Sequence, residues 1–268
     1  MLPRLPLFGG YLRTVYLFFI AAGLLGWLLF RRYAPLDRHT ADRRYFWALL
    51  WGLLAARVGD YLIFAPLYLG LTDIAREWNY VGVAFWPGLA VGLAVLWRRS
   101  RRAGEPAWET TAAALRLLPA ALAVCWLGAL VDGSAFGTPS ALPWALGHGL
   151  YSPRAFIAAH GPAPYVFNPR AVLDFTIHPV QAYFILACLG LFFAAGPLKR
   201  RLNPRRFSAL VIGLLALAWL LLGFLRNDDP VLLVGLRAPQ LQALGALVWA
   251  AVVWLTDPGG GSQTEATA

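Results

Sequence analysis

Apolar and polar positions follow one another along this chain in long blocks, without the short periods of a soluble amphipathic fold. Seven apolar runs fall at about 14–30, 46–66, 80–97, 111–131, 180–197, 208–225 and 239–256. Most come close to the roughly 20 residues that carry a helix across a hydrocarbon layer of about 30 Å. The runs are continuous, so the in–out alternation of a membrane β-barrel is missing. The pattern predicts an all-α integral membrane protein of about seven transmembrane helices. Residues 1–256 would form one membrane domain, 132–179 the largest segment outside the bilayer, and 257–268 a disordered cytoplasmic tail of Gly, Ser and Thr character.

Composition agrees. Of 268 residues, 59% are hydrophobic and 13% are charged, about half the charged share of a soluble domain. A net charge of +10 would suit nucleic acid, but the basic residues form no stripe on a soluble face. They cluster where apolar runs end: Arg31, Arg32, Arg38, Arg43 and Arg44 after the first run, Arg98, Arg99, Arg101 and Arg102 after the third, Lys199, Arg200, Arg201, Arg205 and Arg206 after the fifth. With seven spans these connectors share one side, which the positive-inside rule makes cytoplasmic. The N-terminus is then outside and the C-terminus inside. No nucleic-acid partner is expected. The run Thr14–Phe30 continues unbroken past Ala21-Ala22-Gly23 to Arg31, which favours a retained helix over a cleaved signal peptide.

Polar groups within the runs are the candidates for function, because a bilayer tolerates them mainly where they face a cavity or a partner. Arg57 and Asp60 share a helical face. They read either as an internal ion pair or as an arginine turned to a lipid phosphate, which a guanidinium can grip with two parallel hydrogen bonds. Arg13 and Tyr16 share a face at the start of the first span, a depth that suits interfacial anchoring. Arg116 reads as a snorkelling side chain. Gly88 and Gly92 have the spacing of close helix packing, and Pro87 predicts a kink or a break in the third span. Thr176-Ile177-His178-Pro179-Val180-Gln181-Ala182-Tyr183 opens the fifth span and gathers His178, Gln181 and Tyr183 at the outer interface. Between spans, the stretch from Asp132 to Pro179 is rich in proline and predicts turns and extended chain. Cys125 and Cys188 lie in apolar runs and read as small buried hydrophobes. The four histidines are too far apart to form a metal site, and no cofactor is expected.

Several segments, in order, resemble motifs of the prolipoprotein diacylglyceryl transferase family. Leu12-Arg13-Thr14-Val15-Tyr16 resembles the family's Arg-Trp-Tyr-Gly, and Ala56-Arg57-Val58-Gly59 its Ala-Arg-Leu-Gly. The stretch from Asp132-Gly133 through Gly137 and Pro139 to Leu142-Pro143-Trp144 resembles Asn-Gly-Glu-Leu-Tyr-Gly-Arg-Pro-Thr-Asp-Leu-Pro-Trp. His178-Pro179-Val180-Gln181-Ala182-Tyr183 is similar to His-Pro-Ser-Gln-Leu-Tyr. Phe224-Leu225-Arg226-Asn227-Asp228 resembles Phe-Phe-Arg-Gln-Pro-Asp, and Pro239-Gln240 stands where the family has Gly-Gln.

The resemblance implies a transferase of the bacterial inner membrane. It would move the diacylglyceryl group of phosphatidylglycerol, or another anionic phospholipid, to the thiol of a lipobox cysteine in a preprolipoprotein, with glycerol phosphate leaving. It implies His178, Arg57 and Tyr16 as catalytic residues and Arg226, Gln181, Tyr183, Asp132, Gly137 and Gln240 as lipid-binding ones. It also implies a diverged member. The family's histidine aligns with Trp86, two of its arginines with Trp126 and Trp219, an asparagine with Ala129, and two glutamates with Ser134 and Gly223. Tryptophan donates one N–H but carries no charge. Two readings follow: transfer with rewired chemistry, in which Arg57, Arg226 or His178 clamps the phosphate, or a relative without catalysis that binds a lipid or a membrane partner.

Overall fold

A computed structural model describes residues 4–7, 10–64, 84–135, 137–146, 176–227 and 231–257. A hairpin of β1 (Arg4–Leu7) and β2 (Gly10–Arg13) leads into α1 (Thr14–Tyr33). Then follow α2 (Arg38–Phe64), α3 (Phe85–Arg102), α4 (Ala107–Asp132), α5 (Val180–Arg201) and α6 (Pro204–Gly223). A second hairpin, β3 (Val231–Leu233) and β4 (Leu236–Arg237), precedes α7 (Ala238–Leu255). Among the described residues there are thus seven helices, and six are long and apolar enough to cross a membrane.

The helix outside those six is α3. The sequence pattern expects a span at 80–97, whereas the helix begins at Phe85 and runs on through Arg98–Arg102, so its last turn is basic rather than apolar. Pro87 consequently lies in the first turn of α3, where a missing N–H leaves no helical bond unmade. The expected kink is replaced by a helix start.

Each helix packs antiparallel to a neighbour. Phe18 of α1 lies against Gly128 of α4, and Arg116 of α4 stacks over the Tyr33 ring at 5.0 Å. The expected close packing of Gly88 and Gly92 is present. A Cβ on Gly88 would stand 2.8 Å from the Ala56 Cβ, and one on Gly92 3.1 Å from the Ala48 carbonyl oxygen. Small residues on both helices bring α2 and α3 together, as van der Waals packing within lipid requires. Helices α4, α5 and α6 enclose the main core, which includes Leu115, Phe184, Phe207, Val211 and Leu215. Helix α7 lies along α6, with Ala250 beside Gly213 and Gln240 beside Gly223. Outward faces stay apolar and exposed, as at Leu53 and Leu62 of α2, Leu186 and Phe193 of α5, and Val248 and Leu255 of α7. So continuous an apolar exterior is the surface of a chain immersed in lipid. The protein is a multi-pass membrane protein.

The short connections at 34–37, 103–106 and 202–203 gather the basic clusters at one end. There Arg44 grips Glu105 with two bonds, Nε to Oε2 at 3.0 Å and Nη2 to Oε1 at 2.5 Å. This hydrogen-bonded guanidinium holds the Glu105 carboxyl below the usual carboxylate range. Arg206 pairs with Asp257 at 2.9 Å, and Asn203 Nδ2 donates to the same carboxylate. Asn203 also caps α6 by accepting from the Arg206 N–H at 2.8 Å, with Pro204 in the first turn. Indole faces take up further guanidinium groups: Trp47 under Arg99 at 4.7 Å and Trp97 under Arg101 at 5.0 Å. Of the expected tail, Asp257 is fixed by these contacts, and 258–268 lie outside the described residues.

Candidate functional site

The opposite end of the bundle collects the polar residues named from the sequence. Helix α4 stops at Asp132, which is 1% exposed, because Gly133 adopts a left-handed conformation (φ 80°) and returns its N–H to the Ala129 carbonyl. The chain then doubles back across the start of α5 and the end of α6. Thr138 N–H donates to Leu225 O at 2.7 Å, His178 N–H to Thr138 O at 3.0 Å and Ser140 N–H to Thr176 O at 2.8 Å. Leu146 and Ile177 exchange bonds of 3.0 and 3.2 Å. Gly137 pairs with Arg226 in an isolated antiparallel bridge. A side chain at 137 would collide with the His178 carbonyl, and its Cβ would stand 2.8 Å from the His178 Cβ and the Val180 Cγ2. Only glycine lets the three strands of chain meet.

This bridging fixes His178. Its Nδ1 lies 3.4 Å from the Tyr183 hydroxyl, and the same hydroxyl accepts from Trp144 Nε1 at 2.8 Å. Gln181 is buried and donates to the Ser134 carbonyl at 2.6 Å, tying α5 to the turn after α4. Gln240 is also buried. Its Oε1 accepts from the Arg237 N–H at 3.0 Å and its Nε2 donates to Leu220 O at 3.1 Å, so it joins α7 to the last turn of α6.

Below this polar layer Trp86, Trp126 and Trp219 come together. Trp219 stacks on Phe85 at 4.6 Å, Trp126 stacks on Phe184 at 4.0 Å, and Trp219 approaches Trp126 and Trp86 at 5.6 and 5.8 Å. The Arg226 guanidinium lies over Trp126, 5.9 Å from its ring centre. Trp86 Nε1 is buried with no hydrogen-bond partner among the described residues. Buried donors rarely stay unsatisfied.

Gly137, His178, Gln181, Tyr183, Asp132 and Arg226 therefore share one neighbourhood. Gln240 lies beneath it at the α6–α7 junction. Tyr16, edge-on to Phe19, stands at the same end on α1. Arg57, half-buried, sits on α2 beside the point where the Ala84 N–H bonds Ala56 O. From that junction Phe85 and Trp86 enter the aromatic cluster. Asp60, one turn on from Arg57, is 4% exposed. Phe136, Asp228 and 147–175 lie outside the described residues. Trp144 had no role in the sequence reading. Its place in Leu142-Pro143-Trp144 was the available signal, and its partner Tyr183 lies 39 positions away. Among the described residues no group of three or more His, Cys, Asp or Glu side chains could hold a metal ion.

The fold is that of a multi-pass helical membrane protein with a half-buried histidine, tyrosine and arginine gathered at one end of its bundle. The chain matches the prolipoprotein diacylglyceryl transferase family over residues 9–256 and belongs to that family. Relatives named phosphatidylglycerol–prolipoprotein diacylglyceryl transferase include one from Frankia alni, 27% identical over 229 residues. That match covers 81% of this chain, which spans 56% of the relative's length. Two from Nitratidesulfovibrio vulgaris, strains Hildenborough and DP4, are 29% and 28% identical over 267 residues, each match covering 93% of this chain and 91% of the relative.

Proposed function

We propose that this protein transfers the diacylglyceryl group of phosphatidylglycerol, or of a related anionic phospholipid, to the thiol of a lipobox cysteine in a preprolipoprotein. A carbon–sulfur bond forms at the glyceryl carbon as its bond to the phosphate oxygen breaks. The electron pair leaves on glycerol phosphate, and the thiol proton passes to a base. One observation carries the reading: the Arg226 guanidinium lies over Trp126, where the family motif has arginine, and Arg226 is bridged through Gly137 to the segment that holds His178. A cation thus stands beside the aligned position although the residue there is neutral. Arg226 would hold the phosphate and stabilise the charge it gains on leaving. His178, oriented by Tyr183 and Trp144, would take the thiol proton. Tyr16 and Arg57 would complete the headgroup contacts from α1 and α2, with Asp132, Gly137, Gln181 and Gln240 shaping the site. With the basic end in the cytosol, as the positive-inside rule directs, the N-terminus is outside, and the site faces the outer leaflet with 132–179 forming its external segment. The test is the purified protein with phosphatidylglycerol vesicles and a lipobox peptide. A thioether-linked diacylglyceryl peptide is expected, and its absence beside an active relative would overturn transfer.

The packing of Trp86, Trp126 and Trp219 favours a second reading, in which the chain binds phospholipid or a membrane partner without transferring it. Under that reading phosphatidylglycerol co-purifies and is retained, no product forms, and the cellular role survives Arg57→Ala and His178→Ala.

A further inference from the structure

We propose that the hairpin between α6 and α7 is a membrane-interface wedge, its tip seated at the boundary between headgroups and acyl chains of the leaflet at the site end. The inference does not rest on the transfer reaction. Val231-Leu232-Leu233-Val234 is a run of four apolar residues at the tip of a two-stranded hairpin. Leu232, Leu233 and Val234 are 49%, 60% and 89% exposed, so the described residues do not cover them.

The turn sharpens the point. Val234 and Gly235 connect the paired residues Leu233 and Leu236, and both have positive φ, 48° and 75°. Such two-residue turns favour Asn, Asp or Gly at the first position. A β-branched residue there is a conformational outlier. Valine at the most exposed point of the hairpin therefore opposes both local backbone preference and solubility in water. Contact with acyl chains reverses the second objection.

Geometry fixes which apolar phase the tip can reach. Helix α7 has 18 residues, about 27 Å at a rise of 1.5 Å per residue, slightly less than the roughly 30 Å hydrocarbon thickness. Its first residue, Ala238, thus lies at or inside the hydrocarbon boundary. The tip residue Val234 is four residues before it, about 14 Å of strand at most. The headgroup layer on each side is roughly 5–8 Å deep, so an upright hairpin would carry the tip past it, and a hairpin tilted toward the bilayer plane keeps the tip within it. The base is anchored from both sides: Gln240 bonds the Arg237 N–H and the Leu220 carbonyl.

The experiment uses the full chain with Cys125→Ala and Cys188→Ala, carrying Val234→Cys labelled with the polarity-sensitive fluorophore NBD, in phosphatidylcholine–phosphatidylglycerol vesicles. Leu232→Cys gives a second labelling site should the turn variant fail to fold. The expected result is a blue-shifted emission, strong quenching by lipids spin-labelled near the headgroup and weak quenching by aqueous iodide. Strong iodide quenching without lipid quenching would overturn the proposal. So would shielding that appears only on adding a lipobox peptide, or only at high protein density, since the tip would then belong to a peptide site or to a contact between copies.

Discussion

At the end closed by the short connections, cations meet carboxylates and indole faces: Arg44 meets Glu105, Arg206 meets Asp257, and Arg99 lies over Trp47. At the other end the joining is done by backbone bonds among Thr138, Leu225, Ser140, Thr176, Leu146, Ile177 and His178 and by the neutral amides of Gln181 and Gln240, with no ion pair among these residues. There the side chains of His178, Tyr183 and Arg226 remain half-buried. The same residue type thus does two jobs. Arginine at the first end fixes helices to one another. At the second, main-chain and glutamine bonds do the fixing, and Arg226 lies half-buried over the Trp126 ring, where the proposed function gives it the phosphate. Disturbing the first end should therefore change stability more than rate, and disturbing the second the reverse.

The largest expected effect is at the first end. Arg44 is 6% and Glu105 17% exposed, and removing one partner of a buried pair costs about 3–5 kcal/mol. Arg44→Ala should lower Tm sharply in detergent while the folded fraction keeps its specific activity. Next comes Arg226→Ala, with transfer to a lipobox peptide falling about 10²–10³-fold, the range for removing a donor at a developing negative charge, at nearly unchanged Tm. Lysine at 226 should not restore the rate, since it lacks the planar fork. If Arg226→Ala unfolded the protein and Arg44→Ala only slowed it, the contrast between the ends would be wrong. Gly137→Ala should cost about 1–3 kcal/mol by overpacking and lower both Tm and rate, because the residue joins the backbone scaffold to the site.

The smallest effect is a pH dependence confined to the first end. The folded-state pKa of Glu105 is lowered, chiefly by its hydrogen bond to Arg44. Its contribution to stability is therefore complete above the ordinary glutamate value of 4.5 and is lost as pH falls through the lowered value. Thermal melts should show Tm declining in that acidic window, and Glu105→Gln should flatten the decline.

Hydrophobicity along the chain marks the helices well because crossing a bilayer is a property of single segments. The ends of α1, α4, α5 and α7 fall within a few residues of the apolar runs. Helices α2 and α3 do not: α2 begins at Arg38, ahead of the run at 46–66, so that Arg43 and Arg44 are helical rather than in a connector, Arg98–Arg102 stay helical beyond the third run, and Pro87 starts α3 instead of bending it. Close packing at Gly88 and Gly92 could be anticipated because it needs only two small residues at the right spacing. The meeting of Trp86, Trp126 and Trp219 could not. Each lies on a helix apolar on several faces, and in lipid such faces do not announce which neighbour they meet. The site was partly readable, because His178, Gln181 and Tyr183 lie within one turn and a half. The position of Arg226 over Trp126, 100 residues apart in sequence, depends on how α4 and α6 pack.

The stacked rings of Trp126, Phe184, Trp219 and Phe85, with Trp86 at their edge, also hold three of the chain's 12 tryptophans in one rigid chiral array drawn from α3, α4, α5 and α6. Its near-ultraviolet circular dichroism becomes an internal gauge of tertiary packing. Loss of that band with far-ultraviolet ellipticity intact would report helices that have come apart without unwinding.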